Sequence, residues 1–285
     1  MLEIINVASV PQRSPFRYPG GKTWLIPAIR QWLTSLTITP TCLVEPFAGG
    51  GIVGLTAAFE GHVDRVLFAE IDPDVAAVWK TMLNGQAKWL ADEIVSFQMT
   101  HDNLARRLAM GGNGSLRERA FVTILRNRVS RGGILAPGAG VVKKGENGKG
   151  LLSRWYPATL KARIEAIARM RYKLEFIEGD GLALLESTRF ERGTVFFIDP
   201  PYTAAGRRLY TYNEIDHEAL FDIARRLTGD FLMTYDNSLE VRKLAERYRF
   251  ALREVPMKST HHEQKTELLI GRDLNWLPVG DRSFV

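Results

Sequence analysis

Apolar and polar positions alternate along the chain in blocks that predict strands separated by helices. A short apolar run at 43–47 breaks into AGGG at 48–51, and residues with helical spacing follow. A second strand-like run at 66–72 leads into another predicted helix at 75–83. This order of strand, glycine turn, helix, strand and helix is typical of the opening of a doubly wound α/β sheet.

The pattern changes to charged, mostly helical segments over residues 84–171, which include a glycine-rich, basic loop at 132–150 that we expect to be flexible. Strand-like runs then resume at 173–180, 193–202, 229–237, 250–257 and 265–272. The last two runs are joined by a short loop, which predicts an antiparallel hairpin. The predicted fold is therefore an α/β, doubly wound, mostly parallel, Rossmann-like sheet with a C-terminal antiparallel hairpin. Its discontinuous domain comprises 1–83 and 172–285, and residues 84–171 form an inserted, mainly helical domain.

Composition narrows the class of protein only moderately. Of 285 residues, 45% are hydrophobic and 25% are charged, as in an ordinary globular chain. The single cysteine, Cys42, excludes an intramolecular disulfide. No apolar run approaches the roughly 18 residues of a membrane helix, and the N-terminus lacks the pattern of a signal peptide. These features predict a cytoplasmic protein, and the lack of CxxC and HExxH patterns predicts no metal.

Charge points to a polyanionic partner. The formal net charge is +6, and basic residues concentrate between Arg106 and Lys173. This region is where we expect contacts with nucleic acid. Lys143, Lys144 and Lys149 in the glycine-rich loop are candidate contacts to phosphates.

The glycine turn after the first predicted strand, EPFAGGG at 45–51, is a candidate ligand site. Glycines allow a sharp turn and close approach to a ligand at a helix N-terminus. Glu45 would repel a phosphate, but it suits a cationic or hydroxyl-bearing ligand such as the amino-acid end of S-adenosylmethionine. Glu70 ends the next strand about 20 residues later, where an acid accepts hydrogen bonds from ribose hydroxyls.

The segment PFRYPGGKTWLI at 15–26 resembles the end of a phosphate-binding P-loop, but Phe16 stands where that motif requires glycine. An NTPase is therefore rejected. Tyr18 and Lys22, which flank two glycines, supply an aromatic face and a cation for a bound cofactor instead.

The strand-like run FFIDPPY at 196–202 ends in a carboxylate, two prolines and a tyrosine. Asp199 and Pro200 each precede a proline, so both are held extended. Proline has a carbonyl and no N–H, so the turn fixes two acceptors, the Asp199 carboxylate and the Pro200 carbonyl. Two such acceptors fit the exocyclic amino group of adenine or cytosine, and Tyr202 offers the base a face to stack on.

Taken in order, GGK, EPFAGGG, IEGD and DPPY resemble the motifs of the Dam-type adenine-specific DNA methyltransferases over about residues 15–272. KTELLIG near the C-terminus is also similar to the family. The resemblance implies methyl transfer from S-adenosylmethionine to the amino nitrogen of a flipped-out adenine in duplex DNA. It also implies that the insertion at 84–171 recognises the target sequence, although LRNRVSRGG only loosely resembles the recognition segment of the family.

The resemblance places Tyr18, Lys22, Glu70, Asp180 and Asp199 at positions that contact the cofactor, and Asp199 also at the catalytic position. Together with the arguments from the residues themselves, this predicts three roles. The catalytic residues are Asp199, Pro200 and Tyr202. The residues that bind S-adenosylmethionine are Tyr18, Gly21, Lys22, Glu45, Pro46, Phe47, Gly49, Gly51, Glu70, Asp180 and Asp199. The residues that contact DNA are Arg126, Arg128, Arg131, Lys143, Lys144, Lys149 and Arg207.

Three alternatives stay open at this point: methylation of a cytosine amino group, methylation of RNA, and a DNA-binding protein that has lost catalysis on the same fold. We expect no metal and no membrane partner. The predicted state is a monomer, and a genetic association with a restriction endonuclease is a further candidate.

Overall fold

Seven strands form one sheet in the computed structural model, which describes residues 10–18, 20–111, 114–143, 145, 148–202, 212, 214–258 and 264–277. The strands are β1 (Cys42–Glu45), β2 (Arg65–Glu70), β3 (Leu174–Glu178), β4 (Thr194–Ile198), β5 (Phe231–Asp236), β6 (Ala251–Lys258) and β7 (Gln264–Gly271). Their order is β3-β2-β1-β4-β5-β7-β6. Strands β1 to β5 are parallel, whereas β7 is antiparallel to both β5 and β6. The predicted doubly wound sheet with a C-terminal antiparallel hairpin is confirmed.

Helices cover both faces of this sheet. They are α1 (Ile26–Ser35), α2 (Ile52–Glu60), α3 (Pro73–Leu83), α4 (Ala87–Ser96), α5 (His101–Ala109), α6 (Leu116–Val129), α7 (Pro157–Arg169), α8 (Gly181–Thr188), α9 (His217–Arg226) and α10 (Leu239–Tyr248). Helices α1 to α3 pack on one face and α8 to α10 on the other. Alternate strand residues enter opposite cores, as Leu43 and Val44 do in β1. Such strands are apolar throughout because both of their faces are buried.

Strand order fixes where a ligand can bind. The chain winds from β1 outwards to β2 and β3, then crosses back to β4 on the other side of β1. In open α/β sheets, ligands bind outside the carboxyl ends of the strands at such a reversal. Glu45 ends β1, and Asp199 directly follows β4. The fold therefore brings two of the predicted acids to the same crevice.

The inserted segment shares its core with the sheet. Leu90 of α4, Phe121 of α6 and Leu160 of α7 belong to the same buried cluster as Trp79 of α3 and Leu43 of β1. The helices of 84–171 therefore extend the α3 layer of the sheet. The division into two functional domains stays a prediction.

The loop at 132–150 contains short ordered elements among its described residues. A 3-10 turn spans Arg131–Gly133, another spans Gly150–Arg154, and Ser130 forms an isolated antiparallel bridge with Val141. Nowhere in the described ranges is a helix long and apolar enough to cross a lipid bilayer.

Candidate active site

A cavity of about 560 Å³ opens at the carboxyl ends of β1, β2 and β4. All the residues predicted to bind the cofactor line it: Tyr18, Gly21, Lys22, Glu45, Pro46, Phe47, Gly49, Gly51, Glu70, Asp180 and Asp199. These residues come from five separate stretches of sequence, and the fold brings them together. What the cavity binds stays a prediction.

The glycine turn packs closely against two aromatic rings. Gly49 has φ +46°, and a Cβ added there would lie 2.5 Å from Cε1 of Tyr18. Gly51 has φ +61°, and its Cβ would lie 2.6 Å from Cζ2 of Trp79. Both the left-handed backbone and the lack of space require glycine at these positions.

Two buried glutamates hold the backbone of this turn and of the start of α2. The Gly54 N–H donates to Glu45 Oε2 at 2.7 Å, and the Gly49 N–H donates to Glu70 Oε2 at 2.9 Å. The other oxygen of Glu70 accepts from the Asp72 N–H at 3.0 Å. Burial raises the pKa of Glu45 to about 8 and that of Glu70 to about 7. Both side chains therefore shape the turn, in addition to any contact that they make with a ligand.

The start of α8 fixes the position of Asp180. It precedes α8, and its carboxylate accepts from the Leu182 N–H at 3.0 Å, as an N-cap residue does. The same side chain lines the cavity on the side of the glycine turn, where Gly181 packs against Phe47.

The centre of the site is a buried lysine. Lys22 is 2% exposed, and its Nζ lies 2.9 Å from Asp199 Oδ2 and 3.8 Å from Glu267 Oε2. It also donates to the Tyr202 hydroxyl at 2.9 Å. Burial alone would lower the pKa of Lys22, but the charges of Asp199 and Glu267 outweigh it and raise the pKa. Lys22 is therefore a fixed cation between two carboxylates.

Asp199 is held through both of its oxygens. Lys22 contacts Oδ2, and the Thr234 hydroxyl donates to Oδ1 at 2.6 Å. The Asp199 side chain is still 22% exposed. Its orientation is thus fixed by β5 and by the N-terminal segment, while part of the carboxylate stays open to the crevice.

Tyr202, predicted to stack on a base, is anchored by its hydroxyl. The hydroxyl donates to Glu267 Oε1 at 2.7 Å and accepts from Lys22. The ring stacks on Tyr235 with centroids 6.5 Å apart and an interplanar angle of 26°. Glu267, on β7, was not among the predicted site residues. The sequence feature that could have indicated Glu267 is its position directly before the apolar run Leu268–Ile270. That run lies in β7, which pairs with a strand on each side.

The residues predicted to contact DNA differ in their surroundings. Arg131, Lys143 and Lys149 are exposed. Arg126 pairs with Asp74 at 3.1 Å. Lys144 and Arg207 lie outside the described residues.

Arg128 is contradicted as a DNA contact. It is 5% exposed, and its guanidinium donates to the carbonyl of Pro15. Burial, with the nearby charge of Arg163, lowers the pKa of Arg128 to about 10. A phosphate cannot reach this group, which instead anchors the N-terminal segment to α6.

Asn127, the neighbour of Arg128 on α6, is a site residue that the sequence analysis does not predict. It is fully buried; its Nδ2 donates to the carbonyls of Arg17 and Gly133, and its Oδ1 accepts from the Arg17 N–H. Gly133 has φ +78°, and a Cβ there would lie 2.0 Å from the Arg17 carbonyl oxygen. Asn127 thus joins the insertion to the residue beside Tyr18.

Two solved structures align with this chain at low similarity. A candidate RNA methyltransferase from Pyrococcus horikoshii aligns with 93% of this chain and 92% of its own, with 11% identity and a TM-score of 0.43. The B. subtilis tRNA methyltransferase TrmK aligns with 86% of this chain and 65% of its own, with 9% identity and a TM-score of 0.37. At these TM-scores the similarities do not bear on the function.

Sequence comparisons are more specific. Residues 18–106 match the sequence model of the D12 class N6 adenine-specific DNA methyltransferases. A DNA N-6-adenine-methyltransferase of Escherichia phage P1 is 25% identical over 242 residues, which is 79% of this chain. The chain spans 28% of the length of that phage protein. Together with the order of the motifs, these two matches confirm the resemblance to the Dam-type family of adenine-specific DNA methyltransferases.

Proposed function

We propose that the protein transfers a methyl group from S-adenosylmethionine to the exocyclic amino nitrogen of an adenine flipped out of duplex DNA. The observation that carries the proposal is the position of Asp199. It follows β4 at the reversal of the sheet, with Lys22 and Thr234 fixing its carboxylate and the glycine turn of β1 beside it.

The cavity suits S-adenosylmethionine in its chemistry. Glu45, Glu70, Asp180 and Asp199 line it, and such acids fit a ligand with a sulfonium, an ammonium and ribose hydroxyls. Glycines in the turn allow close approach of the backbone. In this proposal Asp180 holds the adenine ring and Glu70 the ribose. When bound, the cofactor supplies the electrophilic methyl group.

The protein has to hold and orient a poor nucleophile. The lone pair of an adenine amino group is delocalised into the ring. Asp199 and the Pro200 carbonyl each accept one of the two amino hydrogens, which lets the lone pair turn out of the ring plane. Lys22 and Thr234 keep the carboxylate in place for this contact, which avoids reorganisation during the reaction.

The base has to leave the helix to reach Asp199. Flipping costs a few kcal/mol, which contacts in the pocket offset. We propose that the Tyr202 ring stacks on the extruded base, worth about 1–3 kcal/mol. The exposed residues Arg131, Lys143 and Lys149 would contact phosphates of the duplex.

Cytosine and RNA are the nearest enzymatic alternatives, since the same two acceptors fit any amino group of this kind. Adenine in DNA is favoured because both sequence matches name that specificity. A DNA-binding protein without catalysis is the non-enzymatic alternative. The intact network around Asp199 argues against it.

The test is to incubate the protein with labelled S-adenosylmethionine and, separately, duplex DNA or RNA, and to identify the labelled nucleoside. We expect N6-methyladenine in DNA. Asp199→Ala should abolish the product, while Asp64→Ala, which removes an exposed acid after α2, should leave it unchanged. Labelled cytosine, label in RNA alone, or no product would each overturn the proposal.

A further inference from the structure

Glu267 is a buried carboxylate that the proposed chemistry leaves without a role. It lies on β7, opposite Asp236 of β5 and Val255 of β6, and is 2% exposed. An ionised carboxylate at such a position is costly unless partners compensate for the lost hydration. Its partners therefore indicate why it is there.

Hydrogen bonds connect Glu267 to the reacting end of the site. Its Oε1 accepts from the Tyr202 hydroxyl at 2.7 Å, that hydroxyl accepts from Lys22 at 2.9 Å, and Lys22 lies 2.9 Å from Asp199. Asp199 is partly exposed to the crevice, whereas Glu267 is not. The four side chains thus form a continuous path from the crevice to a buried acid.

Glu267, at the buried end of this path, has an oxygen that can still accept a proton. Glu267 Oε2 is buried and has no hydrogen-bond partner within the described part of the chain; the Lys22 Nζ is 3.8 Å away. One lysine serves two carboxylates, so the pair Asp199 and Glu267 carries one negative charge more than Lys22 neutralises. This arrangement can accept one proton without creating a net positive charge.

Methylation of an amino group creates a need for such an acceptor. Once the nitrogen has formed its new bond to carbon, it carries a positive charge and must release one N–H proton. Asp199 contacts this group, but a protonated Asp199 can no longer act as the acceptor for the next substrate. The site therefore needs to pass the proton on.

We propose that Glu267 is the terminal acceptor of a proton relay that runs from Asp199 through Lys22 and Tyr202. The proposal rests on the proposed function. The amino N–H bond breaks and its proton binds Asp199. Lys22 gives a proton to the Tyr202 oxygen as the Tyr202 O–H proton passes to Glu267. The neutral Lys22 amine then takes the proton from Asp199, so one proton has moved from Asp199 to Glu267 and the other groups are restored. After the products leave, the proton returns along the same path to Asp199, whose partly exposed carboxylate releases it to water, and Glu267 is again ionised for the next turnover.

The surroundings of Glu267 favour this role. Burial raises the pKa of Glu267, the Lys22 charge opposes that increase, and the Asp199 charge adds to it. The groups that face Glu267 are Lys22 from the N-terminal segment, Asp199 and Tyr202 from the turn after β4, and Asp236 across the sheet. Glu267 touches no reacting atom, so it is a positioning residue that acts through Tyr202 and Lys22.

Two variants interrupt the relay at different points. Glu267→Gln keeps an acceptor for the Tyr202 hydroxyl but cannot take up a proton, and Tyr202→Phe keeps the ring but removes the link. Each should lower kcat by about a hundredfold at neutral pH, which is the lower end for loss of acid–base catalysis. KM for DNA and the Kd for S-adenosylmethionine should stay within about threefold of the wild type, well under the tenfold that corresponds to 1.4 kcal/mol.

The pH profile separates the relay from a structural role. In both variants kcat should rise with pH because hydroxide and buffer bases replace the missing acceptor, and added imidazole should partly restore it. The double variant should be no slower than either single one, because both interrupt one path. Glu254→Gln, which changes an exposed acid on the edge strand β6, and Tyr248→Phe at the end of α10 are the controls that should match the wild type.

A measurement without turnover completes the test. Infrared difference spectra of the unliganded protein should show protonated-carboxyl absorption that grows as pH falls. The spectrum of Glu267→Gln should lack one component of this absorption and keep those of the other buried acids, Glu45 and Glu70. The relay would be overturned if either variant kept the wild-type kcat or lost kcat to the same extent at every pH. It would also be overturned if the loss of kcat followed a lower melting temperature or a weaker affinity for the cofactor. If the wild type methylates no nucleic acid, the proposed function fails instead, and the infrared result still reports on Glu267.

Discussion

Replacement of Gly49 by alanine tests the geometry of the glycine turn. At φ +46° an L-residue is strained by about 1–2 kcal/mol. The new Cβ would also lie 2.5 Å from Cε1 of Tyr18, whereas carbon atoms pack at about 3.5–4.0 Å. The Tyr18 ring must therefore move by about 1 Å. Because Tyr18 lines the cavity, we expect cofactor affinity to fall at least tenfold, or about 1.4 kcal/mol.

Gly61→Ala is the matched control. Gly61 follows α2 at φ +73°, and an added Cβ would meet nothing within 4 Å. It carries comparable backbone strain without the contact. Thermal melting should show a similar few-degree loss in both variants from this strain, with a further loss only in Gly49→Ala. Titration calorimetry with S-adenosylmethionine should show weaker binding for Gly49→Ala alone. Equal cofactor affinity in the two variants would refute the role of the Tyr18 contact.

Further predictions concern the pH dependence of stability, the buried side chain of Arg128 and the basic loop. Burial holds the pKa of Glu70 at about 7 against an ordinary 4.5, so the folded protein binds more protons between these values, and the free energy of unfolding should fall as pH rises through this window. Glu70→Gln should flatten that decrease in denaturant titrations, and an unchanged slope would contradict the assignment. Arg128→Met should lower the melting temperature but leave the salt dependence of DNA binding unaltered; the reverse result would restore Arg128 as a DNA contact. Replacing Lys143 and Lys149 by alanine should reduce the salt slope by up to about 2 with unchanged melting, and an unaltered slope would place both away from phosphates.

The sheet was predictable because its signals are local. Apolar runs of β-rich composition predict strands, and the glycine turn and prolines predict where they end. The carboxyl ends of parallel strands meet at one edge, so Glu45, Glu70 and Asp199 were expected in one site before any contact was known. Predicted strands ran up to four residues too long, as at 193–202, where β4 ends at Ile198. The residues DPPY that follow continue the extended pattern of the strand in sequence but do not pair with a neighbouring strand.

The missed residues depend on long-range contacts. Glu267 bonds Tyr202 across 65 residues and Asn127 bonds Arg17 across 110, and no periodicity encodes such pairs. Arg128 carried a signal in its helical phase. It lies four residues after Ile124 and seven after Phe121, both fully buried, so the face that holds them also holds Arg128. Its positive charge favours a contact with DNA, but its position on the buried face of α6 decides its burial.

Under the proposed function, the shared core of the insertion would limit how the specificity for a target sequence can change. A recognition unit that folds around its own core can be exchanged between enzymes without changing the rest of the protein. Here α4, α6 and α7 bury Leu90, Phe121 and Leu160 in the same cluster as Trp79, which itself packs on Gly51. A transplanted insertion would have to reproduce that packing or disturb the glycine turn. Under that function we expect new target sequences to arise through point changes in the exposed loop, while α4, α6 and α7 are kept because they support the glycine turn.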